Sequence, residues 1–430
     1  MSTLVIRGGN PISGIHVVPG NKNAALPMLA AALLATEPVT LTNLPHIADV
    51  CVMIEGLRAL GAKVTYDSKA HTAYIDARRL RKEAEIPAEI CSKIRTSFLF
   101  VAPALARQGK IRLRAAPGGD SIGRRRLDTH VMGFEALGAK TSFWKNGACT
   151  VIAKKLHGAY FMLDEASVMA TENLLMLAAS IEDETTFYNT ACEPHVQNLC
   201  EMLIQMGATI EGVGTNRLVI RGVKKLKGGT FRVGSDTIEA ASYMVAALVT
   251  RGALTLENVE PQDMTVLAPV FKKFGVRWTI DGTTLRLPAK QNLRTAYDLG
   301  AAIPKIEDGP WPMTPSDLLS VLIVLATQTR GTELFFEKMF ESRLYFVDHL
   351  IGMGAKIVQC DPHRAVVTGP TILQGSIVSS PDIRAGMALI IAALCAKGET
   401  RILNAQSIDR GYESIEEHLK ALGADIYRIQ

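Results

Sequence analysis

A chain of 430 residues, 48% hydrophobic and 21% charged, has the balance of an ordinary globular protein with enough length for more than one core. Its formal net charge of +5 falls short of a nucleic-acid-binding signature yet permits an anionic small-molecule substrate. Seven cysteines without a CxxC pair suit free thiols in a reducing cytoplasm, and nine histidines without HExxH or comparable spacing predict no metal site. The apolar runs 24–35 and 387–396 are too short to cross a bilayer, and the first residues lack a basic-then-apolar leader. The expectation is a cytoplasmic protein that works without a membrane or nucleic-acid partner.

Taken in chain order, the predicted elements echo one another six times. A helix tail, a Gly and a strand recur as LRALGAKV (from Leu57), FEALGAKT (Phe134), LIQMGATI (Leu203), FKKFGVRW (Phe271), LIGMGAKI (Leu350) and LKALGADI (Leu419). The glycines, Gly61, Gly138, Gly207, Gly275, Gly354 and Gly423, are spaced by 77, 69, 68, 79 and 69 residues. Gly is the expected helix C-cap because it enters the left-handed region without a Cβ clash. An Ala/Leu-rich helix followed by a break and a β-branched strand recurs in step, starting at Ala31, Ala102, Leu177, Ala246, Val324 and Ala392. Each module therefore holds at least two helices and several short strands, an α/β architecture built by repetition. Six such modules exceed one core, which predicts two three-module domains, 22–234 and 1–21 with 235–430. The junctions fall near Pro19-Gly20 and Val233-Gly234-Ser235.

The same repeat places one helix start per module: GNKNAALP at Gly20, SKIRTSF at Ser92, ASVMATEN at Ala166, SDTIEAAS at Ser235, TPSDLLS at Thr314 and SPDIRAGM at Ser380. Asn21, Ser92, Ser167, Ser235 and Ser380 are the candidate N-caps. Helix N-termini favour anions through unpaired N–H groups and the aligned dipoles. Lys22, Arg95, Asp317, Asp382 and Arg384 lie at these ends, so a cleft where such ends converge is the expected site. A second candidate is the loop Pro117–Arg126, PGGDSIGRRR, in which glycines admit a ligand and the three arginines supply forks for phosphate or carboxylate. It lacks the Walker Lys-Ser/Thr ending, which argues against nucleoside-triphosphate hydrolysis.

Five segments carry a resemblance: GNKNAALPMLAAALLA, GGDSIGRRRLDTH, FESR at Phe340, PDIRAGMAL at Pro381 and IDRGYESIEEHLKALGA at Ile408. In these, and in their order from about residue 3 to 428, the chain closely resembles the UDP-N-acetylglucosamine enolpyruvyl transferases; the shikimate-pathway enolpyruvyl transferases fit far less well. The resemblance implies an inside-out α/β barrel, two three-module domains closing around the substrates. It implies transfer of the enolpyruvyl group of phosphoenolpyruvate to the 3-hydroxyl of UDP-N-acetylglucosamine with release of phosphate, without cofactor or obligate protein partner. Carried over position by position, Lys22, Arg125 and Arg410 match the residues on the phosphate of phosphoenolpyruvate, with Arg343 and Arg384 on its carboxylate side. Asp317 matches the carboxylate beside the acceptor hydroxyl. Asn23, Arg95, Arg125, Leu127, Asp128, Thr129, Ser167, Val168 and Met339 match the lining of the nucleotide-sugar site, and Asp49 and Asp382 match supporting acids.

Departures from the family pattern bear on chemistry and acceptor. Asp120 stands where most members carry a mobile-loop Cys, so it takes the place of the acid. Neighbouring Arg124 and Arg125 favour its anion, whereas loop closure and the substrate's charge favour its proton. Glu165 stands in place of a Lys, Met169 of a Gly, Arg126 of a Pro, His195 of a Glu and Thr237 of an Arg. The segment Ile303–Met313 is longer than usual, as a surface loop or as part of the sugar pocket. A different nucleotide acceptor, or a non-catalytic paralogue that binds nucleotide sugar, are the alternative readings.

Overall fold

The computed structural model describes residues 2–120 and 122–429. The chain forms two compact units: one of Gly20–Gly119 with Arg125–Gly234, the other of Met1–Pro19, Asp120–Arg124 and Ser235–Gln430. These bounds differ from the expected domains in assigning Gly20 and Asn21 to the central unit and Asp120–Arg124 to the terminal one. Each unit has its own apolar core, the first running from Ala24 to Val233 and the second joining Leu4–Val18 to Ile238–Ile426.

Among the described residues, six sheets of four strands account for the strand structure, three in each unit. All six share one design, in which an edge strand runs parallel to its neighbour and two further strands continue antiparallel. In the first, Gly229–Arg232 lies parallel to Val39–Thr42, which pairs antiparallel with Thr72–Asp76 and that in turn with Lys63–Asp67. The N-terminal strands belong to the terminal unit. Thr3–Arg7 sits between Glu399–Leu403 and Asp425–Ile429, and Gly14–Val17 runs parallel to Leu254–Glu257.

Inside the sheets of each unit run three enclosed helices. Thr237–Val249 is buried along its whole length and Ile383–Cys395 at every residue but the last, so neither has a polar face. Apolar all round is the mark of a helix enclosed by other elements. With Ser316–Gln328 they form the helical centre of the terminal unit; Lys22–Ala31, Val101–Gln108 and Val168–Ala178 do so in the central one. Helices within and sheets around them make each unit an inside-out α/β barrel. The outer helices end at the repeated glycines, whose φ values lie between +74° and +119°. A side chain there is strained whatever space surrounds it.

The helix starts correct the sequence reading in part. Asn21 caps Lys22–Ala31 and Ser167 caps Val168–Ala178, as expected. Ser92 lies inside a short helix, Ala88–Lys93, where its hydroxyl donates back to Ala88 O at 2.7 Å. The next helix starts instead as a 3-10 turn, Arg95–Phe100. In place of Ser235 and Ser380 the caps are Asp236 and Asp382, each accepting two N–H groups of the first turn. A carboxylate answers both the orphan donors and the dipole, which a hydroxyl does less well. Nor is Ile303–Met313 only a surface loop. Lys305–Glu307 is the parallel edge strand of the fifth sheet, and the following Asp308 is fully buried.

Candidate active site

In the central unit, Lys22 opens the first enclosed helix and is 8% exposed. Its Nζ lies 2.9 Å from Oδ2 of Asp49, itself in the first turn of helix Ala48–Ala59 and 3% exposed. Asn23 follows, its backbone N–H donating to the Asn21 side chain at 2.7 Å. Gly118 and Gly119 end the loop on this unit. A Cβ at Gly118 would stand 1.8 Å from Ser92 O, and Gly119 holds φ +103° beside Arg95. Only glycines let this backbone lie so close. The Arg95 guanidinium donates to the carbonyl oxygens of Arg125 and, at 3.2 Å, Arg126. Burial and the nearby Arg125 charge pull its pKa down to about 10.

The start of helix Asp128–Ala136 carries the next group. Thr129, fully buried, donates to Asp164 Oδ1 at 2.6 Å. Arg126 spans Asp128 at 3.2 Å and Asp164 at 3.0 Å. Its charge is thus met by two carboxylates of this chain. Leu127 packs on the core, and Ser167 and Val168 form the capped start of the third enclosed helix. Below them lies a pair that the sequence did not signal. His130 Nδ1 meets Asn173 Nδ2 at 3.1 Å, and burial with the Arg95 charge lowers its pKa to about 3. An internal neutral His beside an Asn has no spacing pattern by which to find it.

In the terminal unit, Asp317, Arg343 and Arg384 form one cluster. Asp317, in the first turn of Ser316–Gln328, takes Arg343 Nη2 on Oδ1 at 2.8 Å and Arg384 Nη2 on Oδ2 at 2.9 Å. Both arginines are about as buried as core residues, at 3% and 5% exposure. Burial alone lowers the pKa of Arg384, but the Asp317 carboxylate outweighs it and the net direction is upward. Asp382 caps the Arg384 helix; burial raises its pKa, Arg343 lowers it and Asp120 raises it again. The Asp120 carboxylate is hydrogen-bonded to the Arg410 guanidinium, so its direct cationic partner is Arg410, whereas Arg124 offers its backbone N–H to Glu341 at 3.2 Å. Met339 lies in the loop before Arg343, half-exposed, with its N–H on Glu337 Oε1 at 3.2 Å.

Two supports of this cluster went unread in the sequence. Tyr412, 1% exposed, places its hydroxyl 3.2 Å from Arg384 Nη1 and its ring under the same guanidinium. Glu337, fully buried, accepts from Ser316 Oγ at 2.9 Å and from the N–H of Phe340 at 3.0 Å. It thereby ties the Asp317 helix start to the Arg343 loop, and burial together with the adjacent Asp308 carboxyl raises its pKa. Tyr412 and Glu337 lie in segments quoted for, or adjoining, the resemblance; nothing in the pattern marks them as interior.

Each unit therefore presents charged, mostly buried side chains at the starts of its enclosed helices, a chemistry suited to phosphate and carboxylate groups. Comparison with solved structures gives the class. The chain is similar to the enolpyruvyl transferase NikO from Streptomyces tendae, with a TM-score of 0.86 and 26% identity over 99% of this chain and 98% of that one. It shares its fold with an EPSP synthase from Acinetobacter baumannii at a TM-score of 0.77 and 17% identity, all of both chains being covered. The family model for EPSP synthase (3-phosphoshikimate 1-carboxyvinyltransferase) matches residues 6–419, so fold and site define an enolpyruvyl transferase. Among curated proteins, it is 51% identical over 426 residues to the UDP-N-acetylglucosamine 1-carboxyvinyltransferase of Treponema denticola, covering 99% of both chains. The proteins of that name from Treponema pallidum (49%, 100% of both) and Bradyrhizobium diazoefficiens (47%, 99% and 97%) are similar throughout as well. The chain belongs to the UDP-N-acetylglucosamine 1-carboxyvinyltransferase family.

Proposed function

We propose that this protein transfers the enolpyruvyl group of phosphoenolpyruvate to the 3-hydroxyl of UDP-N-acetylglucosamine, the step that opens peptidoglycan precursor synthesis. The observation that carries the reading is the end-to-end likeness to relatives bearing that name. The acceptor oxygen bonds to the carbon bearing the phosphate while a proton adds to the methylene carbon. Loss of phosphate and of a proton from the tetrahedral intermediate then restores the double bond. Such a path needs fixed cations for the anions, an acid for the methylene carbon and a carboxylate near the acceptor hydroxyl.

The side chains are assigned accordingly. Lys22, Arg125 and Arg410 hold the phosphate, and Arg343 and Arg384 the carboxylate of phosphoenolpyruvate. Asp317, clasped by those two arginines, orients the acceptor hydroxyl. Asp120 delivers the proton to carbon, its contact with Arg410 giving way when the phosphate arrives. Asn23, Arg95, Leu127, Asp128, Thr129, Ser167, Val168 and Met339 receive the nucleotide sugar, with Asp49 positioning Lys22 and Asp382 the Arg384 helix. The protein acts in the cytoplasm; among the described residues no helix is long and apolar enough to cross a membrane.

The test is inorganic phosphate release from phosphoenolpyruvate with and without UDP-N-acetylglucosamine, run beside a panel of other nucleotides. Release only with UDP-N-acetylglucosamine is expected. Release with another nucleotide alone shifts the acceptor, and binding without turnover defeats the assignment. The same protein should carry no fosfomycin adduct by intact mass, because Asp120 offers no thiol.

A further inference from the structure

Away from these groups, three side chains converge inside the terminal unit. His16 is on strand Gly14–Val17, Glu239 in the first turn of Thr237–Val249, and His418 on helix Ile415–Ala421. One donor atom from each, two imidazole nitrogens and a carboxylate oxygen, lies within 4.8 Å of both others. His16 Nε2 stands 2.9 Å from Glu239 Oε1, and the His418 ring meets that of His16 edge-on with centroids 5.3 Å apart. His16 and Glu239 are 6% and 3% exposed, while His418 is half-buried.

Two neighbouring polar atoms are left over. His418 Nδ1 is buried without a hydrogen-bond partner, and so is the hydroxyl of Tyr243, a fully buried residue whose ring stacks on His16 at 4.0 Å. Tyr243 is one helical turn on from Glu239, hence on the same face. Buried polar atoms nearly always find partners, and two that do not, around one set of metal-type donors, call for an additional atom.

We propose that His16, Glu239 and His418 bind a divalent first-row transition-metal ion, with zinc the best fit. Two imidazoles and a carboxylate form a donor set that zinc takes, at about 2.0–2.2 Å, with a remaining position for water. Burial excludes competing solvent, and the half-buried His418 leaves a way in. The donors come from a strand near the N-terminus and two helices far along the chain, so the ion cross-links the terminal unit rather than serving the transfer. Coordination displaces at most a proton held between His16 and Glu239.

The experiment titrates the purified full-length protein, stripped with a chelator, with Zn2+ in competition with a chromophoric indicator, and records visible absorption with Co2+. One Zn2+ per chain is expected, with a rise of about 3 °C or more in Tm at saturating metal and ligand-field bands with Co2+. His418→Gln, on a half-buried helix face, and His16→Gln should weaken uptake at least roughly 100-fold at unchanged far-ultraviolet circular dichroism. Failure of the wild-type chain to take up metal, or equal uptake in wild type and His418→Gln, overturns the proposal. Because neither His is among the groups assigned to transfer, metal uptake and phosphate release can fail separately.

Discussion

At the scale of single residues, the most informative contact is the pair Lys22–Asp49. A Lys at an exposed helix start contributes little to folding, but this one lies 2.9 Å from a carboxylate that is itself almost inaccessible. Removing one member of a buried pair leaves the other's charge less well compensated, which costs up to about 3–5 kcal/mol. Lys22→Ala is therefore expected to lower stability by about that amount as well as to reduce turnover by at least roughly 1000-fold. Lys22→Ala combined with Asp49→Ala should recover part of the stability and none of the turnover. Denaturant midpoints and phosphate release on the two variants separate the effects; a single variant as stable as wild type shows that the pair contributes nothing.

At the scale of elements, the recurring glycine is the device that ends each outer helix. At Gly207 a Cβ would meet nothing closer than Val223 Cγ2 at 3.7 Å, so the φ of +119° is the whole objection to a side chain. Gly207→Ala is expected to cost about 1–3 kcal/mol, read as a shift of the urea midpoint with an unchanged slope. The same substitution at Gly61 should cost more, because there a Cβ also stands 2.8 Å from Arg81 N. Equal losses at the two sites count against strain as the common cause. These glycines were legible in the chain because a C-cap is local chemistry. The N-caps were only half legible: where Ser and Asp stand side by side, as at Ser235-Asp236, sequence offers two acceptors and the backbone chooses between them.

For the whole molecule, the division into two cores has a thermodynamic consequence. Leu175 and Leu322 are both inaccessible to solvent, one in each core. Truncation to Ala costs about 2–5 kcal/mol at either. If the units unfold separately, calorimetry shows two transitions, with Leu175→Ala lowering one and Leu322→Ala the other. A single transition lowered alike by both variants would reject that picture.

By itself, the amino-acid sequence determined the repeat, its period, the glycines that end the outer helices and the segments that tie the chain to its family. Each of these depends on residues a few positions apart, where backbone geometry leaves few choices. Only the tertiary structure decided which side chains meet. It placed Asp317 between Arg343 and Arg384, and Tyr412 under Arg384. It also drew His16, Glu239 and His418 together, although no spacing rule had suggested a metal. Such groupings are set by how sheets and helices pack, and burial then sets their charge; neither is written in the distance between residues along a chain.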